Sequence, residues 1–480
     1  MGSRSIIRRP AAAALGTWKA FPISNWITMK EIREPSRLTP VIAETDVLVV
    51  GSGPGGLAAA VSSARAGVPT MLVERYGCLG GNLTHVGVEG IAWYRQEKTV
   101  DVEGIGLEFE KRAKNFGGSA PEPQSLSQAI NAEMFKIVAD TWVQEAGVET
   151  LLHALAVGVI RDGDGLKGII IESKSGRQAI LAKRIVDATG DADIAALCGV
   201  PHRMTPKEDM LSVTVMFSCS GVDRARFLEY VKANPKKYKD WGKNWEMKTD
   251  GKEDELFSPY LEEPFDQARK KGIIPAGLKS IGGTWSAISE HGEATYLNMV
   301  HMLAYDGTDV RDLTRGEMEG RRQAMLAIKA LQCFAPGFEE AALRNFGMTI
   351  GIRDTRKIIG RTNLTEQDVR EQARFDDSIG IFPEFIDGYG VLVLPTTGRY
   401  FHVPYGSLVP QGVDNLLIAG RSVAGDKISH AAVRNMMCCT VTGQGAGIAA
   451  AVSVKNRVST AEAGITDIQA ELKRQGVRMS

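Results

Sequence analysis

The strongest pattern along the chain is a pair of short apolar runs separated by a glycine-rich turn and a stretch of small residues. Asp46-Val-Leu-Val-Val50 is the first run, Gly51-Ser-Gly53-Pro-Gly-Gly56 the turn, and Leu57 to Ala66 the small-residue stretch. Thr70-Met-Leu-Val follows and closes on Glu74. Short apolar runs bounded by turn formers predict buried strands, and the intervening stretch predicts a helix, giving one strand–helix–strand unit. Gly163-Asp-Gly165-Leu-Lys-Gly168 repeats the glycine spacing, but β-rich Val157 to Arg161 precedes it and Ile169 to Glu172 follows it. Asp162-Gly163 and Asp164-Gly165 are turn formers, so this second match predicts a hairpin and not a helix start.

Gln128 to Ala146 predicts an amphipathic helix with Ile130, Met134, Ile137, Val138 and Trp142 on one stripe. Ile180 to Lys183 predicts a further strand, and Arg184-Ile-Val-Asp187 a buried strand that runs into Ala188-Thr-Gly190-Asp191 and returns the chain to the first sheet. Composition shifts between Thr205 and Gly390. There, Leu211 to Phe217 and Tyr296 to Val300 read as strands, the segment holding Lys236, Lys237, Lys239 and Lys243 as polar helix, and Thr314 to Gln332 as a long helix broken by Pro336-Gly-Phe338. Asp414 to Gly420 is a strand ending in glycine, Thr440 to Val452 a helix of Gly and Ala, and 464–477 a last amphipathic helix. The layout predicts a tail over 1–40, a nucleotide-binding layer over 41–204, an inserted α+β substrate or cap domain over 205–394, a return segment over 395–456 and a terminal helix over 457–480.

Glycines in the first turn allow backbone amides to approach a pyrophosphate, which a helix N-terminus favours electrostatically. Glu74 stands 18 residues past Gly56, where a carboxylate accepts hydrogen bonds from a ribose diol. Across 480 residues, 57 basic and 57 acidic side chains cancel, so no nucleic-acid footprint is visible. The six cysteines form no Cys-x-x-Cys pair, which supports neither a zinc ribbon nor an iron–sulfur run and fits a reducing, cytoplasmic setting. No metal-ligand spacing stands out, and no stretch reads as apolar enough to span a bilayer. Residues 1–28 read as a tail or as sequence before a start at Met29.

Further motifs follow in order: Gly80-Gly81-Asn-Leu-Thr84, Ala188-Thr-Gly190, Asn298 with Asp306-Gly-Thr-Asp309, Gly351-Ile-Arg353-Asp-Thr-Arg356, Pro404-Tyr405-Gly-Ser-Leu-Val-Pro410 and Ala419-Gly-Arg421. From Met29 to Val477 this series resembles the FAD-dependent oxidoreductase family of the glutathione-reductase-like flavoproteins. It is similar to the flavin-binding part of heterodisulfide reductase, without that branch's clustered cysteines for iron–sulfur centres. The resemblance implies an α/β fold: a Rossmann-like FAD-binding domain of glutathione-reductase type carrying the inserted cap. It implies that Gly51, Gly53 and Gly56, with Pro54 and Gly55, cradle the FAD pyrophosphate and that Glu74, beside Arg75, holds the ribose. Gly80, Gly81, Asn82 and Thr84 would lie toward the flavin, and Ala188, Thr189, Gly190 and Asp191 beside the nucleotide. Gly420, Arg421 and Gly443 would face the ring.

Hydride transfer then needs a proton carrier and a substrate anchor. The resemblance places His430 and Arg434 beside the flavin, His430 as proton donor or acceptor or as a backbone-bonded residue, and Arg434 on a substrate carboxylate or on the flavin. Arg353 and Arg356, if helical, would share a helix face and clamp an anion, or form an ion pair with Asp354 or a neighbouring acid. His402 and Tyr405 are secondary candidates, His291 is a cap residue, and His85 belongs to the flavin region or to packing. Cys78, Cys438 and Cys439 are either cofactor neighbours or packing residues. The expected substrate is a small polar or anionic molecule, with oxygen, a quinone, NAD(P)H or a protein as the other redox partner and a homo-oligomer left open. Two other readings are an NAD-dependent dehydrogenase, which Glu74 also suits, and a flavin electron-transfer subunit.

Overall fold

The computed structural model describes residues 32–91, 102–121, 128–235, 245–251 and 260–480. The tail expected at 1–28 and the lysine-rich segment at 236–243 lie outside the described residues. The chain divides into residues 1–39 and Pro40–Ser480. In the first unit, residues 32–39 carry no regular secondary structure, and Arg37 pairs with Glu34.

Strand β1 (Val41–Val50) leads through the glycine turn into helix α1 (Pro54–Arg65) and strand β2 (Thr70–Val73). β1 and β2 pair in parallel from Val47↔Thr70 to Val50↔Val73, as the two apolar runs predict. The strand begins at Val41, earlier than Asp46, because its exposed first half pairs with the far end of another strand. That partner, Gly176–Asp187, is one continuous element where the sequence reads as two. Its outer edge is shared: residues 176–181 pair with the hairpin strand Gly165–Ser173, and 185–187 with the return strand Leu416–Ile418. The hairpin is present, with Asp162↔Gly165 closing a two-residue turn in which Gly163 takes φ +58.

Two expected helices shift. Gln128–Ile130 is a strand, Asn131 accepts a hydrogen bond from Met134 N at 2.9 Å, and the helix runs Ala132–Glu145. Its buried stripe is Phe135, Val138, Ala139 and Trp142, at spacings of three, one and three; Ile137 falls between them and is 53% exposed. In the inserted region the long helix starts at Val310, ahead of Thr314, because Asp309 accepts from Arg311 N at 2.7 Å. That helix packs on an antiparallel sheet ordered Tyr260–Leu261, Ile281–Thr284, Ala294–Met302, Phe217–Ser220 and Ala342–Phe346. The cap core spans Val213 to Ile350, whereas Ile358 to Leu394 packs into the core of the nucleotide layer. The hydrophobic core of the cap thus reaches Ile350.

The glycine-rich helix runs Met436–Asn456, beginning before Thr440. Its length and mean hydropathy of 1.4 meet the requirement for a membrane span, correcting the expectation that no stretch does; 94% of that window is buried by the rest of the chain. It lies on α1 through glycine. A Cβ at Gly443 would stand 2.1 Å from Gly55 O, and one at Gly447 would stand 2.2 Å from Ala59 O. No side chain fits where two backbones approach this closely. Gly447→Val is expected to force the helices apart and lower unfolding free energy by about 3 kcal/mol, read from the urea midpoint at unchanged slope; a midpoint equal to the parent's would refute the contact.

Candidate active site

A cavity of about 700 Å³ opens between the β1–α1 turn, the segments 188–191 and 420–421, the start of the glycine-rich helix and the cap strand Ala294–Met302. On the nucleotide side Gly51, Gly53, Pro54 and Gly55 line it. The glycines differ in purpose. Gly51 has φ +97 and sits where a Cβ would be 2.4 Å from Ala188 O, and a Cβ at Gly56 would be 1.8 Å from Gly51 O. These two permit packing of turn, helix and neighbouring strand, and Gly56 does not line the cavity. A Cβ at Gly53 would meet only Gly81 Cα, at 3.9 Å, and one at Gly420 (φ +85) would meet nothing within 4 Å. Both therefore present backbone to open space.

Glu74 is buried at the cavity edge, where it accepts from Ser52 N at 2.8 Å, Ser52 Oγ at 2.6 Å and Tyr76 N at 2.9 Å. These donors fix its carboxylate at the end of β2, beside Arg75, which also lines the cavity. Gly81, Asn82 and His85 line it too, but Gly80 and Thr84 do not. Thr84 Oγ1 donates to Leu79 O at 2.6 Å and tightens the loop from behind. His85 Nε2 lies 2.7 Å from Cys78 O, and burial lowers the ring's pKa. Ala188, Thr189, Gly190 and Asp191 all line the cavity. Asp187, beneath them, accepts from Thr189 N, Thr189 Oγ1 and Ala195 N, and burial raises its pKa to about 6. Arg421 pairs with Asp191 and lines the cavity; Gly443 packs on Gly55 behind the wall.

Two helix N-termini meet here. Neither Gly53 before α1 nor Asn435 before the glycine-rich helix supplies a side-chain cap, and Pro54, Gly55, Met436 and Met437 all line the cavity. Uncapped first-turn amides at the positive end of a helix suit a phosphate or a reduced ring carrying negative charge. The Nε atoms of Arg421 and Arg434 are buried and have no hydrogen-bond partner among the described residues, and both arginines line the cavity. A pyrophosphate-bearing nucleotide such as FAD fits this donor set.

On the cap side the residues separate differently from the sequence expectation. Residues 352–356 are not helical, so Arg353 and Arg356 share no helix face. Arg356 Nη1 bonds Asp191 O at 2.9 Å and Asp193 Oδ1 at 3.0 Å. Asp354 pairs with Lys357 at 2.5 Å and accepts from Tyr389 OH, not from an arginine. Arg353 lines the cavity, with Nη1 on Ser212 O at 2.7 Å and Nη2 on Asn298 Oδ1 at 3.3 Å. Burial, then the Arg434 charge, lowers its pKa to about 10. Arg434 bonds Asp387 O and its Oδ2, the latter at 2.9 Å.

His430, expected to carry a proton, does not line the cavity. It is 1% exposed, with Nδ1 3.1 Å from Arg421 O and Nε2 3.0 Å from Arg353 O. Burial, with Lys357 next, lowers its pKa to about 3. His402 is held at Phe375, Tyr405 OH bonds Thr460 O at 2.5 Å, and none of His402, Tyr405 and His291 lines the cavity. Cys439 lines it, but its thiol faces Arg434 O at 3.5 Å and burial raises its pKa to about 12; Cys438 is buried in the helix packing and its pKa is also raised. Cys78 is half-buried and does not line the cavity.

Sequence reasoning missed Ser52, Ser212, Tyr296, His301 and Asp387, all of which line the cavity. Tyr296 takes φ +55 inside a strand, at a break in its pairing register, a conformation a tyrosine holds only when its surroundings enforce it. The signal that could have found this group is the polar pair Asn298 and His301 in an otherwise apolar strand. As an expected outcome, Gly53→Val places a side chain where the pyrophosphate would approach, so the purified variant should fold but retain less than about a tenth of the parent's FAD; full stoichiometry by absorbance would contradict the assignment.

A family model described as FAD dependent oxidoreductase matches residues 46–472. Thiamine thiazole synthase of Methanococcus vannielii is 29% identical over 183 residues, covering 35% of this chain and 66% of that protein. Digeranylgeranylglycerophospholipid reductase of Picrophilus torridus is 24% identical over 177 residues, covering 35% of this chain and 45% of that protein. The chain thus spans less than two thirds of the length of either relative. Among solved structures, a geranylgeranyl bacteriochlorophyll reductase-like protein from Thermoplasma acidophilum aligns with TM-score 0.47 at 13% identity, over 90% of this chain and 83% of that one. With the family match extending from the first strand to the last helix, the chain belongs to the FAD-dependent oxidoreductase family and is an enzyme with FAD as its cofactor.

Proposed function

We propose that the enzyme passes a hydride between FAD and a small organic carboxylate held on the cap side of the cavity by Arg353 and Arg434. One observation carries this reading. Arg353 is a half-buried guanidinium whose partners among the described residues are the carbonyl and hydroxyl oxygens of Ser212 and the amide oxygen of Asn298, with no carboxylate bonded to it there. Arg434, close enough to lower the pKa of Arg353, has a single acid, Asp387. Two guanidinium groups thus share one carboxylate at a cavity wall, and an incoming anion restores neutrality. A guanidinium fork matches two carboxylate oxygens and so fixes orientation as well as charge.

FAD, when bound, supplies the two-electron redox chemistry. The protein's own residues bind and aim the substrate. Ser212 and Asn298 hold the Arg353 fork, and Asp387 holds Arg434. His430 serves as a positioning residue, since both its ring nitrogens face backbone carbonyls of the arginine-bearing segments.

Titration of the FAD-loaded protein with acetate, propanoate and longer monocarboxylates, followed by the flavin absorbance shift, tests this. Arg353→Met should retain FAD and weaken carboxylate binding by about 100-fold, and Arg353→Lys should weaken it by about 10-fold for want of the fork. Carboxylate affinity unchanged in Arg353→Met would overturn the reading.

A further inference from the structure

His301 stands on the cap strand Ala294–Met302 and lines the same cavity. Its Nε2 lies 3.1 Å from Asn298 O. A carbonyl oxygen only accepts, so in the neutral ring Nε2 carries the hydrogen and Nδ1 keeps its lone pair. No described residue partners Nδ1. Space for the ring comes from Gly283 on the neighbouring strand: with φ +154, a Cβ there would stand 2.8 Å from His301 Nε2 and 2.2 Å from Asn298 O. Asn298 also accepts from Arg353 Nη2 at 3.3 Å through its side-chain oxygen. One residue therefore fixes the imidazole and the substrate-binding guanidinium side by side.

The charges around His301 fit a base. Burial, and next the Arg353 charge, lower its pKa to about 3, so the ring is neutral in ordinary buffers; Asp387 is the acid that opposes this. A carboxylate seated on Arg353 offsets that guanidinium's charge, so the imidazole becomes more basic when substrate is in place. The same balance selects the group to be oxidised. An ammonium at the reacting carbon would stand beside the Arg353 and Arg434 guanidiniums, where Asp387 is already paired with Arg434, whereas a hydroxyl adds no charge.

We propose that His301 accepts, through Nδ1, the hydroxyl hydrogen of a 2-hydroxy carboxylate whose acid group sits on Arg353. The inference rests on the carboxylate reading above and names the substrate class and the base. The C2–H bond breaks and its hydrogen leaves with both electrons to FAD, the O–H proton passes to His301, and the C–O bond becomes C=O. The products are a 2-oxo acid and two-electron-reduced FAD.

Binding separates this from a structural role for His301. Calorimetry on the FAD-loaded protein compares matched pairs, propanoate with lactate and 3-phenylpropanoate with 3-phenyllactate. The hydroxy acid of at least one pair is expected to bind about 10-fold more tightly than its unsubstituted partner and to bleach the flavin anaerobically. His301→Ala should abolish the preference while leaving the unsubstituted acid's affinity within about 3-fold. In His301→Asn the amide keeps a donor for Asn298 O and an acceptor for the hydroxyl but is no base. That variant should keep the preference and slow bleaching by about 100-fold or more. If the unsubstituted acids bind and the hydroxyl gives no preference, or His301→Ala preserves it, the His301 assignment falls and the carboxylate reading stands. Bleaching at the parent rate in His301→Asn likewise overturns the base. If no acid of either pair binds, both fall together.

Discussion

The contact between α1 and the glycine-rich helix sets the position of everything else. Gly443 against Gly55, and Gly447 against Ala59, let two helices from opposite ends of the chain approach until backbone meets backbone. A Cβ at Gly55 would also lie 3.0 Å from Gly420 N, so the return strand's end joins the same close-packed point. Dispersion and burial favour such a contact only if no side chain holds the backbones apart. Its consequence is electrostatic. It brings two uncapped helix N-termini to one cavity, where each favours negative charge by about 0.3–1 kcal/mol at an exposed site and more when partly buried. The membrane-like hydropathy of the second helix has the same origin, since a helix enclosed by sheet and helices has no polar face to keep.

The cap side poses an opposite problem, a half-buried guanidinium, Arg353, to which no carboxylate is bonded among the described residues. A guanidinium without a carboxylate is costly in a protein interior unless its donors are occupied and an anion arrives. Ser212 and Asn298 occupy part of the Arg353 fork, and Asp387 is already engaged by Arg434. Behind this wall, His430 stands between the backbones carrying Arg353 and Arg421, while Asp354 is held by Lys357 and Tyr389. A neutral imidazole can donate to only one of the two carbonyls it faces. The ring does not line the cavity and lies between the two arginine segments.

How much of this could be read from the sequence follows the range of the interactions involved. The strand–turn–helix–strand unit, the hairpin at Gly163 and the return strand at 416–418 were legible because local periodicity and turn chemistry decide them. The fusion of 176–187 into one strand was not, because it depends on three different partners. The glycine turn announced a nucleotide, yet only the structure separates Gly53, which faces the cavity, from Gly56, which packs. Arg353 was named, but on the premise of a shared helix face with Arg356; the irregular backbone instead sends the two arginines to separate partners. His301 and Tyr296 escaped notice because their placement depends on cross-strand register breaks and on two glycines in a neighbouring strand.

The two electropositive features act on different groups, and this separation orders the chemistry. The helix termini and Arg421 belong to the nucleotide wall, fixed by Asp191 and by the glycine contacts. Arg353, Arg434 and His301 belong to the facing wall, fixed by the cap sheet and by Asp387. Acids also line the cavity, among them Glu74, Asp191, Glu262 and Asp266, so each wall attracts an anion through its own local donors and not through a net excess of charge. The reacting atoms are left to meet across the space between the walls, where Tyr296 enters from a strained bulge and neither wall's charge is consumed by the other.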